Sequence, residues 1–205
     1  MSLTCPSCGS PIKIYNPASI SVACEYCDSI MSWDQESLSL SGTSSRLPEG
    51  YSRLYRGAIG TIDTSPFQVL GRVRYAFSRG FWDEWYIIFG EDEGCWITEN
   101  DYQFSIQKQI HDSNLHPKES YRLGQNITIA SRDFQITEIG YARCMGIEGE
   151  LPKNVLPQAS YHYLDAISFE GKHTLGIEFH NPPQIYLGTW LEGKNITLED
   201  ETLEW

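Results

Sequence analysis

Two stretches of the chain, RGAIGTIDTSPFQVLGRVRYA (residues 56–76) and RLGQNITIASRDFQITEIGYA (residues 122–142), resemble one another. Each predicts a hairpin, because a short turn precedes an alternation of apolar and polar residues. The aligned positions are Gly57 with Gly124, Ile62 with Ile129, and Phe67-Gln68-Val69 with Phe134-Gln135-Ile136. A repeat of this kind indicates two similar structural units.

Each stretch is followed by further strand-like segments of the same order. An aromatic-rich run comes next, WDEWYIIFG at 82–90 and YHYLDAISFEG at 161–171, and then a second short run. No helical period is found from Tyr51 onward, and Gly, Pro, Asp or Asn separates the short apolar alternations. We therefore predict an all-β chain with two similar small antiparallel β-barrels or sheets packed together, at 51–110 and 120–205.

The amino-terminal region carries a metal-binding pattern. Cys5 and Cys8 are separated by two residues, fifteen residues follow, and Cys24 and Cys27 repeat the spacing. Two such pairs on tight turns are typical of a four-thiolate zinc site. We predict a zinc ribbon at 1–33 holding one structural Zn²⁺, since four protein ligands leave no coordination position open for water.

Other uses of these cysteines are less compatible with the pattern. Two disulfides would require strained two-residue loops and an oxidising compartment. A redox motif needs one pair between a strand and a helix, whereas here two pairs match each other. Cys95 and Cys144 stand alone and are expected to be buried thiols.

A Ser-rich segment, residues 34–50, contains Gly and Pro and few residues to bury, and it predicts a linker. Lys and Arg number 15 against 27 Asp and Glu, a net charge of −12, so nucleic acid and anionic lipid are poor partners. The first residues lack a secretory signal and no apolar run is long enough to span a membrane, so we expect a cytoplasmic protein without membrane insertion.

The segment from Phe81 to Phe89 concentrates aromatic and acidic residues. On a strand, side chains alternate, so Phe81, Asp83, Trp85, Ile87 and Phe89 share one face, which is the better core face. Asp83 near its start is expected to cap the preceding turn or to pair with Arg79. The opposite face offers Trp82, Glu84 and Tyr86, and Trp96 on the next strand is placed to join them.

Two rings and a carboxylate fit either a protein interface or a cage for a cation such as an ammonium or a polyamine. Asp83 and Glu84 are adjacent and point to opposite faces, which is unsuitable for paired acid and base catalysis. The five histidines show no metal-ligand spacing, and neither a phosphate-binding loop nor a nucleophile elbow is present. The sequence thus presents no catalytic constellation.

The motifs CPSCG and CEYC, the Ser-rich segment, FQVLGRVRY, WDEWYIIF with WITE, and YLGTW at 186–190 together resemble a family of bacterial proteins, the domain of unknown function 4178. The resemblance covers nearly the whole chain. No catalytic residues are established for that family, so it supplies none here. Its members tend to be encoded near polyamine-synthesis-like enzymes and membrane-stress proteins, which implies an adaptor or binding role.

Three hypotheses follow. The first is a non-enzymatic adaptor that docks a protein partner through its aromatic β surface. The second is a binder of a cationic small molecule, gripped by Trp82, Glu84 and Tyr86. The third and weaker one is an enzyme whose site lies between the two β copies.

Overall fold

The structure is a computed structural model that describes residues 3–42, 46–48, 52–90, 94–112 and 115–200. Within these ranges the chain is all-β: it has two short 3₁₀ helices, Lys118–Ser120 and Gly193–Asn195, and no α-helix. None of the described helices is long and apolar enough to cross a membrane. The strands are β1 (Leu3–Thr4), β2 (Pro11–Ile12), β3 (Ser21–Ala23), β4 (Ile30–Trp33), β5 (Leu38–Gly42), β6 (Ile59–Ile62), β7 (Ser65–Phe77), β8 (Gly80–Ile88), β9 (Cys95–Asn100), β10 (Gln103–Ile110), β11 (Asn126–Ile129), β12 (Arg132–Leu151), β13 (Ser160–Ser168), β14 (His173–Glu178), β15 (Gln184–Leu191) and β16 (Ile196–Leu198).

Eight strands close into an antiparallel barrel in the order β7-β8-β9-β10-β15-β14-β13-β12, and β12 pairs back with β7. The first four strands come from the first repeated half and the last four from the second. Two seams join the halves: Val73 on β7 is opposite Ile147 on β12, and Lys108 on β10 is opposite Leu187 on β15. Edge strands of one half thus complete their hydrogen bonding with edge strands of the other.

The two aligned segments have the same local structure. Gly57 and Gly124 both have positive φ, 87° and 78°, and their amides donate to the carbonyls of Val69 and Ile136 respectively. A β-bulge follows in each half, between Val69 and Gly71 in β7 and between Ile136 and Glu138 in β12. A bulge bends a long strand, which lets β7 and β12 run from an outer hairpin into the barrel wall.

Two separate barrels, as the repeat predicts, are not confirmed, because the halves share one closed barrel. Each half nevertheless has its own apolar core on the outer side of the wall. The cores occupy matching positions: Ile62, Phe67, Val69, Trp85, Ile87, Cys95 and Ile97 in the first half, and Ile129, Phe134, Ile136, Leu164, Ala166, Leu175 and Ile177 in the second. The inner faces of both halves therefore enclose a common interior.

Part of the expected linker is structured. Leu38–Gly42 forms β5 and pairs with β4, and Leu38 packs against the apolar cluster of the amino-terminal cysteine segment. This segment is also continuous with the barrel wall, because Ser21 and Val22 on β3 pair with Leu151 and Glu150 on β12. Residues 43–45 and 49–51 of this region, and 201–205 of the expected second copy, lie outside the described residues.

Candidate functional site

The four amino-terminal cysteines converge. Their sulfur atoms all lie within 4.8 Å of one another, with Cys5 and Cys27 separated by 3.8 Å and Cys8 and Cys24 by 3.7 Å. A tetrahedral zinc ion with Zn–S bonds of about 2.3 Å requires sulfur–sulfur distances of about 3.8 Å. The cluster therefore has the dimensions of a four-thiolate metal site.

The two turns that carry these cysteines are built alike. The amide of Gly9 donates to the carbonyl of Cys5, and the amide of Asp28 donates to that of Cys24. Both donors have positive φ, 77° for Gly9 and 55° for Asp28. Gly9 adopts this conformation without strain, and an aspartate, which tolerates this region better than most residues, takes the same place in the second turn.

All six cysteines, each in a described part of the chain, are free thiols. The hydrogen bond with Ser29 lowers the pKa of Cys27 to about 6, whereas burial raises the pKa of Cys24 to about 12. Thiolates are the form that binds metal, and a soft four-sulfur set suits zinc. Burial raises the pKa of Cys95 to about 12 and of Cys144 to about 11, so these two are inert thiols.

Both faces of the strand that carries the aromatic and acidic motif are buried from Asp83 to Ile87. On the outer face, the Arg74 guanidinium donates to both oxygens of Asp83, at 2.8 and 2.7 Å. Pairing of Asp83 with Arg79 is therefore wrong; Arg79 instead lies 2.9 Å from Glu138 on β12. Asp83 on β8 lies directly opposite Arg74 on the neighbouring strand β7. The exposed turn residue Arg79 extends toward Glu138 of the other half instead.

Trp82, Glu84 and Tyr86 face the barrel interior, as does Trp96. The indole of Trp82 donates to Glu84 at 3.1 Å, and the Tyr86 and Trp96 rings pack together with centroids 5.2 Å apart. Trp82 also contacts Tyr163 of the second half, at 5.2 Å between ring centroids. The four residues expected to form a cage or interface are brought together, but inside the barrel and not on an outer surface.

A cation already occupies part of this arrangement. The Lys153 ammonium lies 2.8 Å from Glu84 Oε2 and 3.4 Å from Glu178 Oε1, and the side chain is almost fully buried. The same nitrogen lies 4.6 Å from the ring centroid of Trp96, with two more rings, Tyr75 and Tyr186, at 5.3 and 5.4 Å. Such distances are within the range of cation–π attraction. The predicted cage is thus filled by a lysine of the same chain.

Burial and charge act in opposite directions on these groups. Burial acts to lower the pKa of Lys153, but Glu178 and Glu84 outweigh it, so this pKa lies well above its ordinary value. Burial raises the pKa of Glu84, and the charge of Lys153 offsets this rise only in part. Burial would also raise the pKa of Glu178, but Lys153 and His180 hold it below its usual range. Lys153 and Glu178 are therefore an ionised pair inside the protein.

Beside Lys153, the barrel encloses a cavity of about 80 Å³. Residues of both halves line it, and four of them are acidic: Glu84, Glu138, Asp165 and Glu178. Aromatic rings make up much of the remaining wall. They belong to Phe77, Trp82, Tyr161, Tyr163 and Tyr186.

The four carboxylates differ in their partners. Glu84 and Glu178 contact Lys153, and Glu138 accepts a hydrogen bond from the Tyr163 hydroxyl at 2.7 Å. Asp165 has no cation beside it among the described residues, and its side chain is open to the cavity. It nevertheless lies deep among protein atoms, and this desolvation, together with Glu138, Glu84 and Glu178, raises the pKa of Asp165 to about 7.

A wider depression of about 640 Å³ lies next to the cavity and shares Phe77, Asn100 and Glu138 with it. The exposed rings of Phe81 and Tyr102 border this vestibule. A small molecule entering the cavity from this side would therefore pass both aromatic and charged side chains, the latter including Arg79 and Asp101, before it reaches the cavity carboxylates.

Most of the second half's contribution to this site was not predicted from the sequence. Tyr161, Tyr163 and Asp165 alternate on β13 just as Trp82, Glu84 and Tyr86 do on β8, so extending the alternation to the second aromatic-rich run would have found them. Lys153 carries no comparable signal. It follows β12 in the Pro-bounded segment LPKNVLP, a composition typical of a solvated loop.

Comparison with curated proteins and with solved structures gave no match. The family described as a domain of unknown function (DUF4178) matches residues 56–193. This segment contains the whole barrel, Lys153 and the cavity, whereas the four clustered cysteines lie outside it. Since the match covers well over half of the sequence, the chain belongs to the DUF4178 family.

Proposed function

We propose that this protein is a non-catalytic binding protein whose barrel cavity holds a small organic cation. One observation carries the proposal: four carboxylates and five aromatic side chains converge on a single cavity, and no lysine or arginine is among the described residues that line it. Lys153 contacts two of the carboxylates, Glu84 and Glu178, without lining the cavity itself. A cavity with excess negative charge attracts cations and repels anions.

The position of Lys153 supports the same conclusion. Its buried ammonium is stabilised by two carboxylates and three aromatic rings in the same interior. A ligand ammonium entering the neighbouring space meets the same kinds of group. Cation–π attraction contributes about 2 kcal/mol per ring contact where both groups are desolvated.

The dimensions limit the ligand to a small charged group inside, with any longer part directed outward. The cavity of about 80 Å³ accommodates an ammonium with one or two carbon atoms, and the vestibule of about 640 Å³ leaves room for the rest. The vestibule is lined by aromatic side chains such as Phe81 and Tyr102 and by charged ones such as Asp101, so it can contact either an apolar or a polar tail.

Calorimetric titration with ethylamine, phenethylamine and putrescine, each compared with the neutral alcohol of the same shape, tests the proposal. We expect the amines to bind and the alcohols not to bind, with affinity reduced at least tenfold by Trp82→Leu. The matched control is Trp190→Leu, since Trp190 is exposed on β15. Equal behaviour of amines and alcohols, or no binding by any amine, would refute the proposal.

An enzyme with a site between the two halves would use the same cavity. Its acidic groups, however, are largely engaged with Lys153, Tyr163 or Arg79, and the arrangement supplies no activated nucleophile among the described residues. Binding is thus the better-supported use of this cavity.

A second role, docking of a protein partner, is favoured by the surface of the ribbon and not by the barrel strand. Tyr15 and Tyr26 are 60% and 67% exposed, and a groove lined by Ile12, Ile14 and Trp33 adjoins Tyr15.

We propose that Zn²⁺ holds this surface in shape, and that the thiolate site places the protein in a reducing compartment such as the cytoplasm. Affinity capture with the intact protein and with a Tyr15→Ser, Tyr26→Ser variant tests the role: a partner captured equally by both would refute it.

A further inference from the structure

The cavity contains a more specific subsite around Gly176 on β14. The absence of a side chain here leaves a gap between two oxygen acceptors. A Cβ atom at Gly176 would lie 3.6 Å from Asp165 Oδ1 and 3.8 Å from Gln107 Oε1. The two acceptors come from different halves of the barrel, Gln107 from β10 and Asp165 from β13.

We infer that the ligand's ammonium binds over Gly176, between the oxygens of Asp165 and Gln107, and that the ligand carries a single ammonium group. This inference rests on the proposed function and names the chemistry of the ligand within it.

The orientation of Gln107 supports the inference. Its amide nitrogen donates to the Ser105 hydroxyl at 2.9 Å, which directs the amide oxygen toward the gap. An ammonium has three donors and no acceptor, so it is complementary to two converging oxygens. A carboxylate and an amide oxygen together also discriminate against a neutral hydroxyl, because a hydrogen bond to a charged group contributes about twice as much as a neutral one.

The charges of the other groups in the cavity indicate how many ammonium groups the ligand carries. Glu84 and Glu178 share Lys153, and Glu138 contacts Arg79 and the Tyr163 hydroxyl. Asp165 is the cavity carboxylate that has no cation beside it among the described residues. A monoamine places its one ammonium beside this carboxylate, whereas the second ammonium of a diamine inside the cavity would have to leave water to meet carboxylates that already lie beside Lys153 or Arg79.

The deciding experiment is calorimetric titration of ethylamine and putrescine at pH 8, where the pKa of Asp165, about 7, leaves it ionised and both amines remain protonated. We expect wild-type protein to bind ethylamine at least tenfold more tightly than putrescine. Gly176→Ala should weaken ethylamine binding at least tenfold, since the added methyl group fills the gap while making only ordinary contacts. Gly193→Ala is the matched control, because its added methyl group would make only ordinary contacts with Phe104 and Gly193 lines neither the cavity nor the vestibule.

Asp165→Asn provides a second variant in case Gly176→Ala alters the fold, and melting temperatures of both report on folding. Loss of ethylamine binding in both variants, with the control unchanged, supports the subsite. Ethylamine binding that persists in both variants, or putrescine binding as tightly as ethylamine, overturns it while leaving the proposed function intact. Failure of wild-type protein to bind any amine overturns both.

Discussion

The ammonium of Lys153 lies 2.8 Å from Glu84 Oε2 although 69 residues separate the two along the chain. Both side chains are buried, and Lys153 also contacts Glu178 of the second half. This contact connects strand β8 of the first half, strand β14 of the second, and the segment that follows β12. The contact therefore lies in the interior that the two halves share.

Replacement of Lys153 by Met should destabilise the protein by about 3–5 kcal/mol, because two buried carboxylates lose their cation. The double variant Lys153→Met, Glu84→Gln should be more stable than the sum of the single changes implies, since removal of one carboxylate relieves part of that cost. Urea unfolding measures both. Lys172→Met, an exposed lysine, is the control, and strict additivity would contradict the pairing.

The seam between the halves depends on a close approach of backbones at Gly71. A Cβ atom there would lie 2.5 Å from the carbonyl oxygen of Glu150 and 2.7 Å from that of Glu148. Gly71→Ala should therefore cost at least about 2 kcal/mol and speed amide exchange along β7 and β12. Gly80→Ala should change stability by less than about 1 kcal/mol. Equal effects of the two substitutions would argue against a closed seam.

The stability of the protein should depend on pH through Asp165. Its pKa in the folded state, about 7, lies above the ordinary value of 3.8, so the folded state binds the proton more tightly. This contribution favours the folded state at low pH and is lost as pH rises from about 4 to about 7. The side chain is open to the cavity, which reduces the size of the effect.

The measurement is the melting temperature of Asp165→Asn relative to wild type across this pH range. The melting temperature of Asp165→Asn should rise relative to that of the wild type between about pH 4 and about pH 7. Above pH 7 the difference between the two melting temperatures should stay constant. Glu170→Gln, at an exposed position, should show no such trend. A difference independent of pH would indicate an ordinary pKa for Asp165.

Metal analysis should find about one zinc ion per chain, bound by Cys5, Cys8, Cys24 and Cys27. Cys8→Ser should lower the zinc content, while Cys95→Ala, far from the cluster in the first half's core, should leave it unchanged. Removal of the metal by a chelator should unfold the ribbon, because zinc binding contributes about 10 kcal/mol or more to such small domains. Full stability after removal of zinc would contradict a structural role.

The amino-terminal cysteine segment is held to the barrel through Glu150. Its carboxylate accepts hydrogen bonds from the amides of Tyr15 and Asn16, at 2.9 and 3.2 Å, and from the Ser19 hydroxyl at 2.7 Å. Glu150→Gln should cost about 2 kcal/mol, because hydrogen bonds to a charged acceptor are weakened. Hydrogen exchange should quicken at Tyr15 and Asn16, with zinc content unchanged. Unaltered exchange at these two amides would show that other contacts hold this segment.

Several features could be predicted from the sequence because they depend on short-range spacing. The two Cys pairs predicted a cluster of four sulfurs, and the alternation on β8 correctly separated Asp83 from Glu84 and placed Trp82, Glu84 and Tyr86 on one face. The aligned segments predicted the hairpins, and the aligned Gly57 and Gly124 prove to share a positive φ. Each depends on the period of a strand or the geometry of a turn, which a few neighbouring residues determine.

The tertiary structure decided what these elements enclose. Closure of one barrel depends on pairing between β7 and β12 and between β10 and β15, and period-two alternation is the same whichever strand lies alongside. Burial of Lys153 depends on Glu84 and Glu178, which lie on different strands far from it in the chain. A charged side chain is buried only where distant partners compensate its loss of hydration, so its place inside the protein is a property of the folded chain and not of its local sequence.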